Sequence, residues 1–260
     1  MIKIPVYKPS ITQIEKDYVM QCLDEEWISS KGRFIARFEQ EFAEFVDVEY
    51  ALSLSNGTTA LHAALLALGI GPGDEVVVPT LTYVASANAV SYTGATPVFA
   101  DCEASTWNIN PADIERVVTE RTRAIMPVHL YGQPCDMEAI MQIARQRDLL
   151  VIEDCAEAIG SRIRGRHVGG FGDIASFSFY GNKTITTGEG GMITTRNPTL
   201  AERVAHIKGQ GLAKSREYWH DIIGYNYRMT NICAAIGCAQ MTRIEETLER
   251  KSEIADRYRK

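Results

Sequence analysis

Short apolar runs alternate with longer helix-like stretches from residue 50 onward, and this alternation limits the folds open to the chain more than any other feature. The candidate strands cover residues 50–54, 75–79, 97–101, 123–128, 149–154, 175–179 and 191–195. Candidate helices lie between them at residues 58–68, 84–92, 111–118, 137–147 and 198–208. The pattern predicts an α/β fold with a mainly parallel seven-stranded sheet between helices. Ligands of such sheets bind beyond the carboxyl ends of the strands, so we expect the functional residues directly after them.

The chain of 260 residues fits one large domain preceded by a helical arm. We expect the arm and a substrate loop at residues 1–49, with helices at 11–25 and 34–46, and the large α/β domain at 50–241. Residues 242–260 are charged and helical in spacing, and they end with no capping glycine or proline. We therefore expect them to begin a long helix that leads to a C-terminal domain absent from this sequence.

Composition favours a globular protein that acts on small molecules. Apolar residues make up 45% of the chain and the formal net charge is −6. That charge argues against general affinity for nucleic acid or for anionic membranes. The sequence has no apolar run of membrane-spanning length, and its start lacks the hydrophobic region of a signal peptide. A cytoplasmic location is the expectation.

The six cysteines form no CxxC pair and show no metal-ligand spacing with the five histidines. We expect reduced thiols in the core and no metal site. Cys155, beside an acidic residue at the end of a candidate strand, is an alternative nucleophile, but no positive neighbour in sequence favours a lowered pKa of its thiol.

Lys183 lies in the segment SFSFYGNKTITTGEGG, residues 176–191, just after a candidate strand and just before a glycine-rich turn. An amine in such a place can be partly desolvated and positioned to form a Schiff base with a carbonyl group. The alternative is a surface lysine in a polar turn. The surrounding residues must decide between the two.

Gly57 lies in the segment SNGTTAL, residues 55–61, where a candidate strand gives way to an apolar helix. A glycine lets the backbone approach a ligand closely, and the free N–H groups at a helix start favour a phosphate. Simple helix capping by Ser55, Asn56 or Thr58 explains the same residues equally well.

Asp154 ends the apolar strand pattern at the start of EDCAEAIG, residues 153–160. A carboxylate at this edge can keep a ring nitrogen protonated, as the pyridine ring of pyridoxal phosphate (PLP) requires. Capping of the next helix is the alternative. Asp154 and Lys183 follow neighbouring βα units, so the two can meet at one edge of the sheet.

Two further segments have both functional and structural explanations. Tyr83 follows a candidate strand and can stack on a flat ring or pack in the core. Asn226, in GYNYRMT at residues 224–230, can reach a phosphate or belong to a structural turn.

Together these segments resemble the sugar aminotransferases of the DegT/DnrJ/EryC1/StrS family over nearly the whole chain. The resemblance rests on residues 55–61, 82–84, 153–160, 177–179, 183, 188–191 and 224–230. It implies the fold-type I PLP architecture, with the small C-terminal domain of the family largely absent here. Lys183 argues against the family branch that carries a histidine at this position and deoxygenates its sugar.

The resemblance also implies roles for individual residues. Lys183 would form the Schiff base with PLP and move the proton between the donor's α-carbon and the cofactor, while Asp154 would pair with the pyridinium nitrogen. The remaining cofactor contacts would be Tyr83 on the ring, Glu157 near the phenolic oxygen, and Gly57, Thr58 and Ser178 at the phosphate. Asn226 would reach the phosphate of a neighbouring subunit, so a homodimer with shared active sites is expected.

The resemblance further implies L-glutamate as the amino donor and a GDP-linked 4-keto-6-deoxy-mannose as the acceptor. Candidate sugar-side residues are Trp27, Ser29, Ser30, His129, Tyr131 and His220. For His129 a satisfied core histidine is an equal alternative. Two rival functions remain: a chain that binds the cofactor or a partner subunit without turnover, and a nucleotide-binding α/β domain that uses Gly57 as its phosphate turn.

Overall fold

A seven-stranded sheet forms the centre of the computed structural model, which describes Pro5 and residues 7–259. Its strands are β1 (Tyr50–Leu54), β2 (Glu75–Pro79), β3 (Thr96–Ala100), β4 (Thr122–Ile125), β5 (Leu150–Asp154), β8 (Ile174–Ser178) and β9 (Gly191–Thr195). A separate hairpin consists of β6 (Arg162–Ile163) and β7 (Arg166–His167). The sheet order is β1-β9-β8-β5-β4-β2-β3. Only β9 runs against the other strands of this sheet, since it pairs antiparallel with both β1 and β8.

The prediction of an α/β fold with a mainly parallel sheet is confirmed. Every predicted strand is present, and each begins within one residue of the predicted position. The strand predicted at 123–128 ends early, at Ile125, because its continuation changes partners. Met126 still donates to the Val77 carbonyl at 2.8 Å, whereas Val128 already bridges to Asp154. The β6–β7 hairpin was not predicted, because strands of two residues carry no readable alternation.

Nine α-helices lie among the described residues, besides a short 3-10 helix at Leu130–Gly132. They are α1 (Gln13–Asp24), α2 (Arg33–Val46), α3 (Gly57–Ala67), α4 (Ala85–Tyr92), α5 (Pro111–Val117), α6 (Met137–Arg147), α7 (Pro198–Lys208), α8 (Asn231–Met241) and α9 (Ile244–Arg259). The predicted helices match these within two residues at each end. Helix α8 has no counterpart among them. Its sequence, NICAAIGCAQM, is apolar on most faces because it is largely buried, so it lacks the polar stripe that marks a surface helix.

Helix α2 attaches the N-terminal segment to the sheet through a row of phenylalanines. Phe34, Phe38 and Phe42 recur every four residues and are fully or almost fully buried. The Phe42 ring lies 4.9 Å from Phe177, and the Phe38 ring lies 5.0 Å from Phe179. Each buried phenylalanine contributes roughly 1.5–3 kcal/mol to the free energy of folding. The residues of the predicted arm therefore share a core with strand β8.

The described residues contain no helix with both the length and the apolar character of a membrane span. Residues 1–4, 6 and 260, which belong to the predicted arm and the predicted C-terminal helix, lie outside the described residues.

Glu15, in α1, is a buried carboxylate that holds this helix against the α8–α9 junction. Its Oε2 atom accepts hydrogen bonds from the Thr12 N–H at 2.7 Å and from the Thr12 hydroxyl at 2.5 Å. Its Oε1 atom accepts from Gln240 at 2.5 Å and from Arg243 at 2.8 Å. Burial alone would raise the pKa of Glu15, but the bonds from Thr12 and Arg243 outweigh burial and lower this pKa to about 2.

We predict that Glu15→Gln destabilises the protein at neutral pH by up to roughly 3 kcal/mol, and by less in acid. The carboxylate has a pKa of about 2 in the folded state, against a reference value of 4.5. Its stabilising effect is therefore complete above pH 4.5 and is lost as the pH falls through about 2. Urea unfolding at pH 7 and pH 3 measures the difference, with the exposed Glu120→Gln as control. An equal difference at both pH values would contradict the prediction.

Candidate active site

A cavity of about 510 Å³ opens at the carboxyl ends of the parallel strands. Segments that follow different strands form its walls: residues 56–59 after β1, residues 82 and 83 after β2, and residues 154, 156 and 157 at the end of β5. Residues 178, 180, 182 and 183, at the end of β8 and beyond it, complete the far wall. This is the edge at which the alternation of strands and helices predicted the functional residues.

Lys183 projects into this cavity from the turn that follows β8. Its side chain is 19% exposed, and its Nζ atom lies 3.8 Å from Oε1 of Glu157. The Lys183 N–H donates to the Tyr180 carbonyl at 2.9 Å, which fixes the turn that carries it. The other oxygen of Glu157 accepts a hydrogen bond from the Tyr131 N–H at 2.9 Å. The amine is therefore partly shielded from water rather than free on the surface.

Asp154 lies opposite, at the last position of β5, with 4% of its surface exposed. Its Oδ2 atom accepts from the Ser86 hydroxyl at 2.8 Å, and its Oδ1 atom accepts from the Ala156 N–H at 3.1 Å. Burial raises the pKa of Asp154, while these two hydrogen bonds and the positive charge of Lys183 act in the opposite direction. Turns, not a helix, follow Asp154 in the chain, so helix capping does not explain this carboxylate.

The start of α3 forms a narrow corner of the cavity where backbones come close. Asn56 caps the helix by accepting a hydrogen bond from the Thr59 N–H at 2.9 Å. The N–H groups of Gly57 and Thr58, in the first turn, have no partner within the helix. A Cβ atom on Gly57 would lie 2.8 Å from Cβ of Ser178. A side chain at position 57 would therefore close the gap between α3 and β8. Asn56 therefore caps α3, as the capping alternative predicted, and the corner beside Gly57 still has room for an anion.

Tyr83 stands at the cavity mouth with 73% of its surface exposed. It is therefore not a core residue, which removes that alternative. Its ring is free to lie against a flat ligand.

The model of the DegT/DnrJ/EryC1/StrS aminotransferase family matches residues 9–260. The chain belongs to this family. GDP-perosamine synthase of Escherichia coli O157:H7 is 63% identical to it over 257 residues, which are 99% of this chain and 71% of that protein. The protein of the same name from Caulobacter vibrioides is 55% identical over 256 residues, which are 98% of this chain and 69% of that protein.

A solved structure from Streptococcus pneumoniae, assigned to the sugar aminotransferases and described as the PLP-form, has a TM-score of 0.94 at 33% identity. The match covers 99% of this chain and 71% of that chain. The predicted family, fold class and aminotransferase activity are thus confirmed, and a simple nucleotide-binding domain is not supported. The aminotransferase chain spans about 70% of the length of these relatives.

Several predicted site residues of this aminotransferase lie outside the cavity wall formed by the described residues. Asn226 is exposed, and its Oδ1 atom accepts from Arg228 at 3.1 Å. The sugar-side candidates Trp27, Ser29, Tyr131 and His220 are exposed, and Ser30 is half-buried. Trp27, Ser29, Ser30 and His220 are on loops that do not line the cavity, whereas Tyr131 adjoins it through its N–H bond to Glu157.

His129 is fully buried in the aminotransferase, and both of its ring nitrogens have partners. Its Nδ1 atom accepts from the Cys135 N–H at 3.1 Å, and its Nε2 atom lies 3.2 Å from Glu153. These contacts fit the core-histidine alternative and not the sugar-side one. His129, Glu153 and Cys155 could by distance surround a metal ion, since their donor atoms lie within 4.8 Å of one another. The lone pairs of His129 and Glu153 are already engaged in hydrogen bonds, however.

Cys155 does not fit the role of a nucleophile. Its side chain is fully buried, and burial raises the pKa of its thiol to about 12. The thiol is therefore protonated at neutral pH.

Ser86 is the residue near the site that sequence reasoning missed. Its hydroxyl donates to Asp154 and lies 2.9 Å from the hydroxyl of Thr82, four residues earlier in the chain. The spacing of four residues between Thr82 and Ser86 was the available signal. This spacing indicates a role for Ser86 only when the structure shows Asp154 beside α4, 68 residues away in sequence.

Proposed function

We propose that this chain binds PLP and transfers the amino group of L-glutamate to GDP-4-keto-6-deoxy-mannose, giving GDP-perosamine. One observation carries the proposal: three relatives that bear the name GDP-perosamine synthase are 49–63% identical across nearly the entire chain. The cavity supports it, because Lys183 and the buried Asp154 share one chamber at the sheet edge. We further propose that the reaction takes place in the cytoplasm and that the product serves surface polysaccharide synthesis, such as that of O-antigen lipopolysaccharide.

Lys183 is the residue that would bond to the cofactor aldehyde. Its side chain is four-fifths shielded from solvent, and the amine lies 3.8 Å from a carboxylate oxygen of Glu157. When bound, PLP supplies an electron sink for the negative charge that develops at the donor's α-carbon. The Lys183 amine would serve as the proton carrier between the donor's α-carbon and the C4′ carbon of the cofactor.

Asp154 would hold the proton on the pyridine nitrogen of the cofactor. Burial raises the pKa of Asp154 above its usual value. A positive ring nitrogen beside it favours the ionised carboxylate, and the carboxylate in turn keeps that nitrogen protonated. The hydrogen bonds from Ser86 and Ala156 orient both oxygens toward this task.

The corner at Gly57 would receive the cofactor phosphate. The N–H groups of Gly57 and Thr58 and the positive end of the α3 dipole favour a dianion there, and the Ser178 hydroxyl lies at the same corner. Tyr83 would cover the ring, and Glu157 would lie near its phenolic oxygen.

Asn226 of a second copy would complete the phosphate site in a homodimer. Arg228 holds the carbonyl side of the Asn226 amide, so the N–H₂ side is free to donate to an oxygen of another subunit. The high exposure of Tyr83 is consistent with a site that a second subunit covers.

A cofactor-binding chain without turnover is the second candidate, and the enzymatic names of the relatives do not favour it.

The proposal is tested with the purified 260-residue chain, PLP and L-glutamate, followed by keto sugars on different nucleotides. We expect the visible absorbance of the lysine-bound cofactor to fall with glutamate and to recover with GDP-4-keto-6-deoxy-mannose, with 2-oxoglutarate as co-product. The dTDP- and UDP-linked keto sugars are the matched controls. Turnover of either one, with none of the GDP sugar, would refute the assigned acceptor.

Lys183→Ala should abolish the covalent link and lower transamination by at least roughly 10²–10⁴-fold, because it removes both the bond to the cofactor and the proton carrier. Borohydride reduction followed by peptide mass mapping detects the link. The exposed lysine variant Lys214→Ala should keep it. If the Lys183→Ala protein still fixes PLP covalently with borohydride, the assignment of Lys183 is wrong.

Asp154→Asn should still bind PLP but lose on the order of 10²–10³-fold in the rate of the glutamate half-reaction. A neutral amide of the same size fills the space but does not hold the pyridinium proton. Stopped-flow absorbance with L-glutamate gives the rate, and circular dichroism verifies the fold. A rate equal to that of the unchanged chain would remove Asp154 from the mechanism.

A further inference from the structure

The loop of residues 27–32, here named the 27–32 loop, joins α1 to α2 and presents large side chains to solvent. Trp27 is 53% exposed and Ile28 is 49% exposed. Ser29 and Lys31 are exposed beside them. An aromatic face, a hydroxyl and an ammonium group suit the ring, hydroxyls and diphosphate of a sugar nucleotide.

Asn231, the first residue of α8, holds this loop from inside the protein. It is fully buried, and its backbone N–H donates to the Ser29 carbonyl at 2.6 Å. Its side-chain Nδ2 atom donates to the Trp27 carbonyl at 2.7 Å and to the sulfur of Cys22 at 3.3 Å. Its Oδ1 atom accepts from the Phe34 N–H at 3.1 Å. Every donor and acceptor of this amide is therefore used on the loop and its two flanking helices.

Gly32, the last residue of the loop, also depends on Asn231. It stands at the N-cap position of α2 and has no side chain to cap that helix. Asn231 takes over the task from 199 positions away in sequence, since its oxygen accepts from the second N–H of α2. Gly32 has a φ of +150°, and a Cβ atom there would lie 2.2 Å from Cγ of Asn231. Gly32 and the Asn231 side chain thus pack directly against each other, and we call this contact the joint.

The same joint connects the loop to the cavity. The residues just before Asn231 run beside the end of β1, where the Ser55 N–H donates to the Tyr227 carbonyl at 2.8 Å. Leu54 bridges to Arg228 at the next position. Ser55 is followed directly by the phosphate corner at Asn56 and Gly57. The segment 227–231 thus sets the position of the 27–32 loop relative to the corner.

We propose that Asn231 is a positioning residue that fixes the 27–32 loop for the sugar-nucleotide acceptor and takes no part in the amino-donor half-reaction. This inference rests on the proposed function. A loop held in place before binding does not lose conformational freedom when the acceptor binds, so loss of the joint weakens acceptor binding. L-Glutamate needs only the cavity, which Asn231 does not line.

The test separates the two half-reactions in Asn231→Ala holoenzyme. We expect the acceptor KM to rise between about ten- and a hundredfold, because a displaced loop loses its contacts with the substrate. The rate of the absorbance change with L-glutamate should stay within about twofold. Gly32→Ala displaces the Asn231 amide without removing it, so it should also raise the acceptor KM and leave the glutamate half-reaction unchanged. This variant tests the proposal if Asn231→Ala does not fold.

Thr230→Ala is the matched control for lost stability. The Thr230 hydroxyl caps α8 by accepting from the Cys233 N–H, one residue from Asn231, but it makes none of the loop contacts. This variant should melt at a lower temperature with an unchanged acceptor KM. Equal losses in both half-reactions, or an unchanged acceptor KM in the folded Asn231→Ala and Gly32→Ala variants, would overturn the inference. The unchanged chain serves as reference with whichever nucleotide sugar it accepts, so failure of the GDP sugar alone leaves this test intact.

Discussion

The fully buried carboxylate of Glu153 is the interaction on which the geometry of the site depends. It accepts hydrogen bonds from the backbone N–H groups of Gly169, Phe171 and Gly172 at 2.7–2.9 Å and from His129 at 3.2 Å. Burial would raise the pKa of Glu153, but the bonds from His129 and the backbone outweigh it and lower this pKa. Because neighbouring side chains of a strand point to opposite faces, Glu153 anchors β5 in the core while Asp154 faces the cavity.

Close backbone packing is the second condition for the site. A Cβ atom on Gly191 would lie 2.4 Å from the Asn56 carbonyl, just as one on Gly57 would meet Ser178. The start of α3 therefore lies against the ends of β8 and β9 with no room for side chains. This contact brings the helix dipole and the turn that carries Lys183 into one chamber, although the two segments are more than 120 residues apart.

The sequence predicted what depends on local pattern and missed what depends on distant partners. Apolar runs gave the sheet, and the rule that ligands bind after parallel strands placed Asp154 and Lys183 at one edge. The contact of Ser86 with Asp154 and the burial of His129 arise from packing across long separations, which no local pattern encodes. Helix α8 was missed for a related reason, since a helix buried on most faces has no periodic polar stripe.

In the proposed function, chemistry and acceptor choice are carried by different kinds of structure. Lys183, Asp154 and the Gly57 corner follow buried strands whose positions are fixed by the sheet and by Glu153. Apart from the buried His129, the candidate acceptor residues are exposed or half-buried, and the 27–32 loop is held by the buried amide of Asn231. A change in such a loop alters the contacts with the substrate, while the strand ends stay fixed by the ladder of the sheet. One catalytic frame can in this way serve different sugars, and substrate choice follows from how the loops are held.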